Sequence, residues 1–238
     1  MKNRSTKSIF LDLRKLSKSN NGNKKLSFKF ESELLDYQSY LKNFSSKHYK
    51  LFEELARTLN LQDAINDLFN GEIVNKTENR QALHHQYRSN QTTPEFDFKK
   101  ITEPFNKRIK KGDFKNIITF GIGGSYEGPK LLQEFTNKES FKFNYYFVSG
   151  PDKDEFNSIL KPISDQKNFY IFSSKSLSTD ETLACLRWLG AKRDSTNSIV
   201  ITANTEKAKN LGFKENCIVP FQETVGGRYS IWSPISLS

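Results

Sequence analysis

Two hydrophobic rhythms divide the chain. Between residues 31 and 69 the apolar positions Leu34, Leu35, Leu41, Phe44, Leu51, Phe52, Leu55, Leu59, Ile65, Leu68 and Phe69 recur at helical spacing. That spacing predicts helices there, after a Ser-, Asn- and Lys-rich loop over 15–29. Thr77-Glu78-Asn79-Arg80 reads as the start of another helix running to Arg88, with Thr77 as its N-cap. A polar stretch with Pro94 follows. Residues 99–110 then read as helix, with Pro104 interrupting it or near its start. Past Gly112 the rhythm changes. Short apolar or aromatic runs at 116–122, 144–148, 168–173, 198–202 and 217–221 read as strands. Helical patterns at 129–136, 152–160, 179–192 and 206–211 lie between them. Strands alternating with helices imply crossover units and a parallel sheet covered on both faces. The expected class is therefore α/β: a mostly helical N-terminal segment, 1–110, then a sheet domain, 111–238.

In such a sheet, ligands bind outside the carboxyl ends of the strands. Three segments there carry chemistry. Gly121-Ile122-Gly123-Gly124-Ser125 leaves a strand and enters a helix, and Pro129 suits a first helical turn. Glycines admit close backbone approach, and a helix N-terminus offers free N–H groups to an anion. The segment is not a P-loop, because no Gly-Lys-Ser/Thr follows. Nor is it the dinucleotide fingerprint, whose third glycine would fall at Tyr126. A plain tight turn would carry the same glycines. The second segment runs from Ser173 to Thr182, with Ser174, Lys175, Ser176, Ser178 and Thr179 around a helix start. Part of this is capping by Ser178 or Thr179, with Asp180 or Glu181 nearby. The hydroxyl density exceeds what a cap needs and fits phosphate oxygens, which the helix dipole also favours. The third is Val225-Gly226-Gly227-Arg228-Tyr229-Ser230. Its two glycines allow an unusual backbone to present Arg228, a rigid fork of donors suited to stabilising negative oxygen. An Arg in a surface turn beside a buried Tyr/Trp helix is the plainer reading.

In this order and spacing the three segments resemble those of the glucose-6-phosphate isomerase family: Gly-Ile-Gly-Gly-Ser, Ser-Lys-Thr-Phe-Thr-Thr-x-Glu-Thr and Gly-Gly-Arg-Tyr-Ser. The stretch from Thr77 to His84 resembles its Thr-Glu-Asn-Arg-x-x-Leu-His segment, so the likeness runs from Thr77 to Ser238. The resemblance implies a sugar-isomerase (SIS) fold, a parallel sheet sandwiched by helices. It implies interconversion of glucose 6-phosphate and fructose 6-phosphate through an enediol, in glycolysis and gluconeogenesis. It implies no metal or cofactor and, for the complete protein, a homodimer acting on a phosphorylated hexose; the cysteine count and the lack of a signal or membrane-spanning run make a reducing cytoplasm the default expectation. Carried over by position, Gly124 and Ser125 touch the sugar. Ser174, Lys175, Ser176 and Thr179 hold the phosphate, and Arg228 steadies the enediolate. Tyr126 and Glu127 stand where Asp and Leu are usual. Ser176, Leu177 and Ser178 replace Thr, Phe and Thr, and Asp180 replaces Gln. The family's Glu base, ring-opening His and substrate Lys lie beyond Arg228. This chain stops at Ser238, inside the helix expected there. The expectation is an incomplete chain, inactive alone. His48, His84 and His85 lie in the helical half, and His84, at a family position, is assigned a structural or subunit-contact role. The alternative is a non-catalytic SIS-type phosphosugar sensor. Arg228 favours the enzyme, because a sensor needs phosphate capture but no enediolate stabilisation.

Composition adds bounds. Hydrophobic residues are 35% and mean hydropathy is −0.68, but 20 Phe, 9 Tyr and 2 Trp can fill a core with few large side chains, so most of the chain should fold. A net charge of +10 fits a solvated basic surface or a small phosphorylated ligand. The basic residues are scattered, with no run of five or six like charges, which argues against a nucleic-acid surface. Cys185 and Cys217 make neither a disulfide framework nor a metal-type spacing. No signal-peptide core and no membrane-spanning run is present in the sequence.

Overall fold

The computed structural model describes residues 4–19, 28–33, 35–39, 45–89, 93–136 and 142–237. They form two compact units, 1–74 and 75–238.

The first unit is built on helices α1 (Thr6–Ser19), α2 (Ser46–Thr58) and α3 (Leu61–Asn70). Arg4 bonds Glu54 of α2 at 3.1 Å and also pairs with Asp12 of α1. Helix α1 occupies residues 15–19, where a loop was expected. The helix expected from residue 31 is also corrected. A hairpin, β1 (Phe28–Glu31) and β2 (Asp36–Ser39), precedes α2, pairing antiparallel from Phe28↔Ser39 to Glu31↔Asp36. Phe28-Lys29-Phe30-Glu31 alternates with period two, the strand rhythm, and this local signal overrides the longer helical one. Leu34, Leu41 and Phe44, and positions 20–27 of the expected loop, lie outside the described residues.

The second unit holds a sheet of five parallel strands in the order β4-β3-β5-β6-β7: β3 (Asn116–Phe120), β4 (Asn144–Val148), β5 (Asn168–Ser173), β6 (Ser198–Thr202) and β7 (Ile218–Pro220). Every residue of β3, β5 and β6 is buried, as expected for a sheet covered on both faces. On one face Ile118, Phe120, Tyr170, Phe172 and Val200 pack against α6 (Lys153–Leu160), α7 (Asp180–Leu189) and α8 (Thr205–Asn210) through Phe156, Leu160, Cys185, Leu189 and Ala208. On the other, Ile117, Phe169, Ile171, Ile199, Ile201 and Val219 meet Phe105 and Ile109 of α4 (Phe98–Lys111), with Phe96, Val225 and Ile235. The sheet unit therefore takes in residues 75–110 too. The described structure is an α/β sheet sandwiched by helices, preceded in sequence by a mostly helical segment.

Three asparagines tie the amino ends of neighbouring strands together. Asn116 is paired in register with Asn144 on one side and Asn168 on the other. Asn116 Nδ2 donates to Asn168 Oδ1 at 2.7 Å, and Asn144 Nδ2 donates to Asn116 Oδ1 at 3.0 Å. Asn168 Nδ2 continues to the carbonyl of Ile163 at 2.9 Å.

Two further expectations are corrected. Residues 77–88 are not an α-helix: a turn closed by the Asn75↔Arg80 bridge is followed by a 3-10 turn, His84–Arg88. The Asn75 side chain accepts from Thr77 Oγ1 at 2.9 Å and from the Glu78 N–H at 3.3 Å, and Asn79 has φ of 51°. Such local side-chain bonds compete with helix. Thr77 is thus bound to Asn75 rather than capping. Pro129 is not in a first turn either, because α5 (Gly124–Phe135) already begins at Gly124. Pro104 lies inside α4, which continues through it.

Candidate functional site

The glycine turn, the hydroxyl loop and the arginine turn leave the carboxyl ends of β3, β5 and β7. At the glycine turn Gly123 has φ of 53°, in the left-handed region where only glycine is unstrained, and it caps α5. Ser125 N–H bonds the carbonyl of Ile122 at 3.1 Å, which closes the turn. A Cβ on Gly124 would lie 2.0 Å from the carbonyl oxygen of Gly227, so these two backbones touch. Ser230 seals the contact: its hydroxyl donates to the Gly124 carbonyl at 3.2 Å or to that of Gly227 at 2.7 Å. Gly124 and Ser125 are half-buried. Tyr126, the departure from the family pattern, is accommodated. Its hydroxyl accepts from Lys130 Nζ at 3.1 Å, and its ring meets Phe147 edge-on at 6.1 Å. That bond raises the Lys130 pKa.

The hydroxyl loop is shaped from within. Ser174 is buried, and its hydroxyl lies 3.2 Å from Thr179 Oγ1 while accepting from the Leu177 N–H at 3.2 Å. Ser176 and Ser178 hydroxyls are 2.6 Å apart at the exposed rim. The loop is anchored to β6, where the Lys175 carbonyl accepts from Ala203 N–H and Thr202 Oγ1, each at 3.0 Å. Lys175 Nζ reaches the Glu223 carbonyl at 3.4 Å, linking this loop to the one that carries Arg228. Thr179 occupies the N-cap of α7 without a side-chain cap bond, so its hydroxyl is turned to Ser174 instead. Among the described residues nothing accepts from the N–H groups of Ser176 and Thr179. Two hydroxyl pairs and two free amides therefore meet at a helix N-terminus, donors suited to a dianionic phosphate.

Leu177 is the residue that sequence reasoning missed. It is a non-glycine at φ of 50°, yet only 1% exposed, among the core residues packed on α7. A bulky side chain in the left-handed region costs on the order of 1–3 kcal/mol. Burial of a leucine returns a comparable amount, roughly 1.5–3 kcal/mol. The available signal was an isolated apolar residue amid five hydroxyls.

Arg228 lies in the 3-10 turn Gly227–Trp232. It is exposed, and among the described residues no side-chain hydrogen bond or ion pair engages it. The expected unusual backbone is absent: Gly226 has φ of −69° and ψ of 146°, and Gly227 has no positive φ. The close approach of the two turns depends instead on the missing Cβ of Gly124, since a Cβ on Gly227 would meet nothing within 4 Å. The segment before it is held by Leu83 N–H, which donates to the Thr224 carbonyl at 3.1 Å. His84 stacks on Tyr229, which ties the 77–84 segment to the arginine turn.

The phosphoglucose isomerase family model matches residues 39–238. The chain belongs to that family. It is 32% identical over 234 residues to a glucose-6-phosphate isomerase of Buchnera aphidicola subsp. Cinara cedri, covering 86% of this chain and 42% of the relative. It is 31% identical to the enzyme of that name from Shewanella sediminis, covering 84% and 42%. The chain thus spans less than half the length of these family members. Among solved structures, a glucose-6-phosphate isomerase from Chlamydia trachomatis superposes with a TM-score of 0.72 at 18% identity, over 96% of this chain and 50% of that one. A hypothetical protein from Thermus thermophilus superposes with a TM-score of 0.57 at 24% identity, over 78% and 44%. Both likenesses are of fold. Among the described residues no helix is long and apolar enough to cross a membrane, and no group of three His, Cys, Asp or Glu side chains is placed to hold a metal.

Proposed function

We propose that this chain is the phosphosugar-binding portion of a glucose-6-phosphate isomerase, which interconverts glucose 6-phosphate and fructose 6-phosphate. The observation that carries the reading is that the hydroxyl loop, the Gly124–Gly227 contact and an exposed, unengaged Arg228 all lie beyond the carboxyl ends of the parallel strands. Ser176, Thr179 and Lys175 hold the phosphate through hydroxyls, amides and charge. Ser174 braces that loop from beneath. Gly124 and Ser125 line the sugar, and the fixed turn points Arg228 at the oxygens of C1 and C2. When a base removes the proton on C2 of the open-chain aldose, or on C1 of the ketose, the bonding pair moves toward the neighbouring carbonyl and negative charge grows on its oxygen, where a guanidinium already in place lowers the barrier. Asp180 and Glu181 in the first turn of α7 oppose an anion. Each acidic residue gains about 0.3–1 kcal/mol from the helix dipole and so offsets part of its pull on an anion, less than charge-assisted hydrogen bonds contribute at about 1.5–3 kcal/mol each. The base is supplied from outside the 238 residues, and the complete enzyme is a cytoplasmic homodimer of glycolysis and gluconeogenesis.

Calorimetric titration of the chain with fructose 6-phosphate, beside a turnover assay, tests this. Binding without turnover is expected. Ser176→Ala with Thr179→Ala should abolish binding. Absence of binding by the wild-type chain contradicts the phosphosugar reading, and turnover by the chain alone contradicts the external base. With turnover restored by the rest of the enzyme, Arg228→Ala should lower kcat more than it raises KM, the signature of an interaction made in the transition state.

A further inference from the structure

His84 lies outside the three loops, at the start of the 3-10 turn His84–Arg88. Its ring is stacked on that of Tyr229, with centroids 4.1 Å apart and planes 12° from parallel. His85 meets the His84 ring edge-on, at 6.1 Å and 80°. His84 Nδ1 is buried with no hydrogen-bond partner, so that atom contributes nothing to the contact. What the imidazole presents is its face. Burial, then the charges of Arg88 and His85, lower its pKa, so the ring is neutral at neutral pH.

Tyr229 is the residue next to Arg228. Its N–H bonds the Gly226 carbonyl at 2.9 Å, and its Cδ2 would lie 3.6 Å from a Cβ on Gly226, so the ring folds back over the start of the turn. Tyr229 is nevertheless 49% exposed, and the core does not hold it. One side of Arg228 is fixed by Gly227 against Gly124, and the other by Ser230. Tyr229, between them, is held at its ring by His84. An exposed arginine keeps its rotamer freedom, so the direction of its guanidinium depends on how rigidly the backbone under it is set.

We propose that His84 is a positioning residue for Arg228: stacked on Tyr229, it sets the turn that presents the guanidinium to the anionic oxygens of a phosphosugar intermediate. The inference rests on the phosphosugar reading above and adds a residue that reaches the site through another.

The test uses the 238-residue chain with two probes and one ligand-free measurement. Inorganic phosphate reports on the hydroxyl loop alone. Arabinonic acid 5-phosphate carries a carboxylate where the enediolate oxygens form. Amide hydrogen exchange over residues 226–230 reports on the turn itself. His84→Ala is expected to weaken the sugar-acid phosphate about five- to tenfold, the worth of a ring stack, to leave phosphate within about twofold, and to speed exchange. His84→Phe, which keeps a flat ring, should restore both. Unchanged exchange in His84→Ala overturns the positioning role whichever way binding goes. An equal loss for both probes, or no rescue by Phe, also overturns it. A wild-type chain that binds phosphate no more weakly than the sugar acid overturns the role of Arg228. One that binds neither probe overturns the phosphosugar reading itself.

Discussion

Gly124 and Gly227 meet backbone to backbone: a methyl group on the first would stand 2.0 Å from the carbonyl oxygen of the second. No side-chain movement relieves that overlap. Gly124→Ala should therefore cost about 1–3 kcal/mol, the range for overpacking, and part the glycine turn from the arginine turn. Gly227→Ala is the contrast, because its Cβ would meet nothing within 4 Å. Urea denaturation of the two variants checks this. Equal losses would show that the contact does not set the cost.

Leu177 holds the hydroxyl loop to the core. Leu177→Ala should destabilise the chain by about 2–5 kcal/mol. It should also weaken phosphate binding, since Ser174, Ser176 and Ser178 flank it. Thermal denaturation with and without phosphate separates the two effects. A stability loss with undiminished phosphate affinity would sever the loop from its anchor.

Thr119, the fourth residue of β3, is 1% exposed and its hydroxyl has no partner. Thr119→Val keeps the shape and removes the desolvated hydroxyl, so a gain of about 1 kcal/mol is expected. Asn168→Ala, which removes one member of the asparagine row, should cost about 1–3 kcal/mol. Both are read from denaturation midpoints, and the opposite signs are the point of the comparison.

Cys185 is buried, and its thiol is pushed up to about 11 by desolvation, with Glu155 adding to the shift. The thiol form is favoured in the fold, so its contribution is full below the ordinary thiol range near 9 and is lost as pH rises toward 11. Alkylation at about pH 8 should be slow in the folded chain and fast in denaturant. Rapid native labelling of Cys185 would contradict its burial.

Much of the sheet is legible in the sequence, because a strand buried on both faces is a dense apolar run flanked by polar residues. The strands 144–148, 168–173 and 198–202 have the bounds read from that contrast. The three candidate loops are legible for a related reason: they follow strand ends, where chemistry collects. The N-terminal third is harder to read. Helix α1 shares its lysines and serines with the sequence that follows it, the β1–β2 hairpin is only four residues a side, and the Asn75 turn overrides a passable helix start. Leu177 and the His84–Tyr229 stack are tertiary facts. A left-handed leucine and a ring contact between residues so far apart leave no local periodicity.

The asparagine row has a consequence at the far end of the sheet. Parallel strands of nearly uniform apolar character slide easily, since one buried residue resembles the next. Three amide side chains that bond only when level act as a datum line. From it, each strand measures out its own length before releasing a loop. A slip of one position would move Ser174 by about 3.3 Å relative to Gly124 and reverse the facing of every side chain in β5. A row of amides at the amino ends of the strands thus sets the spacing of the groups that meet a substrate at the carboxyl ends.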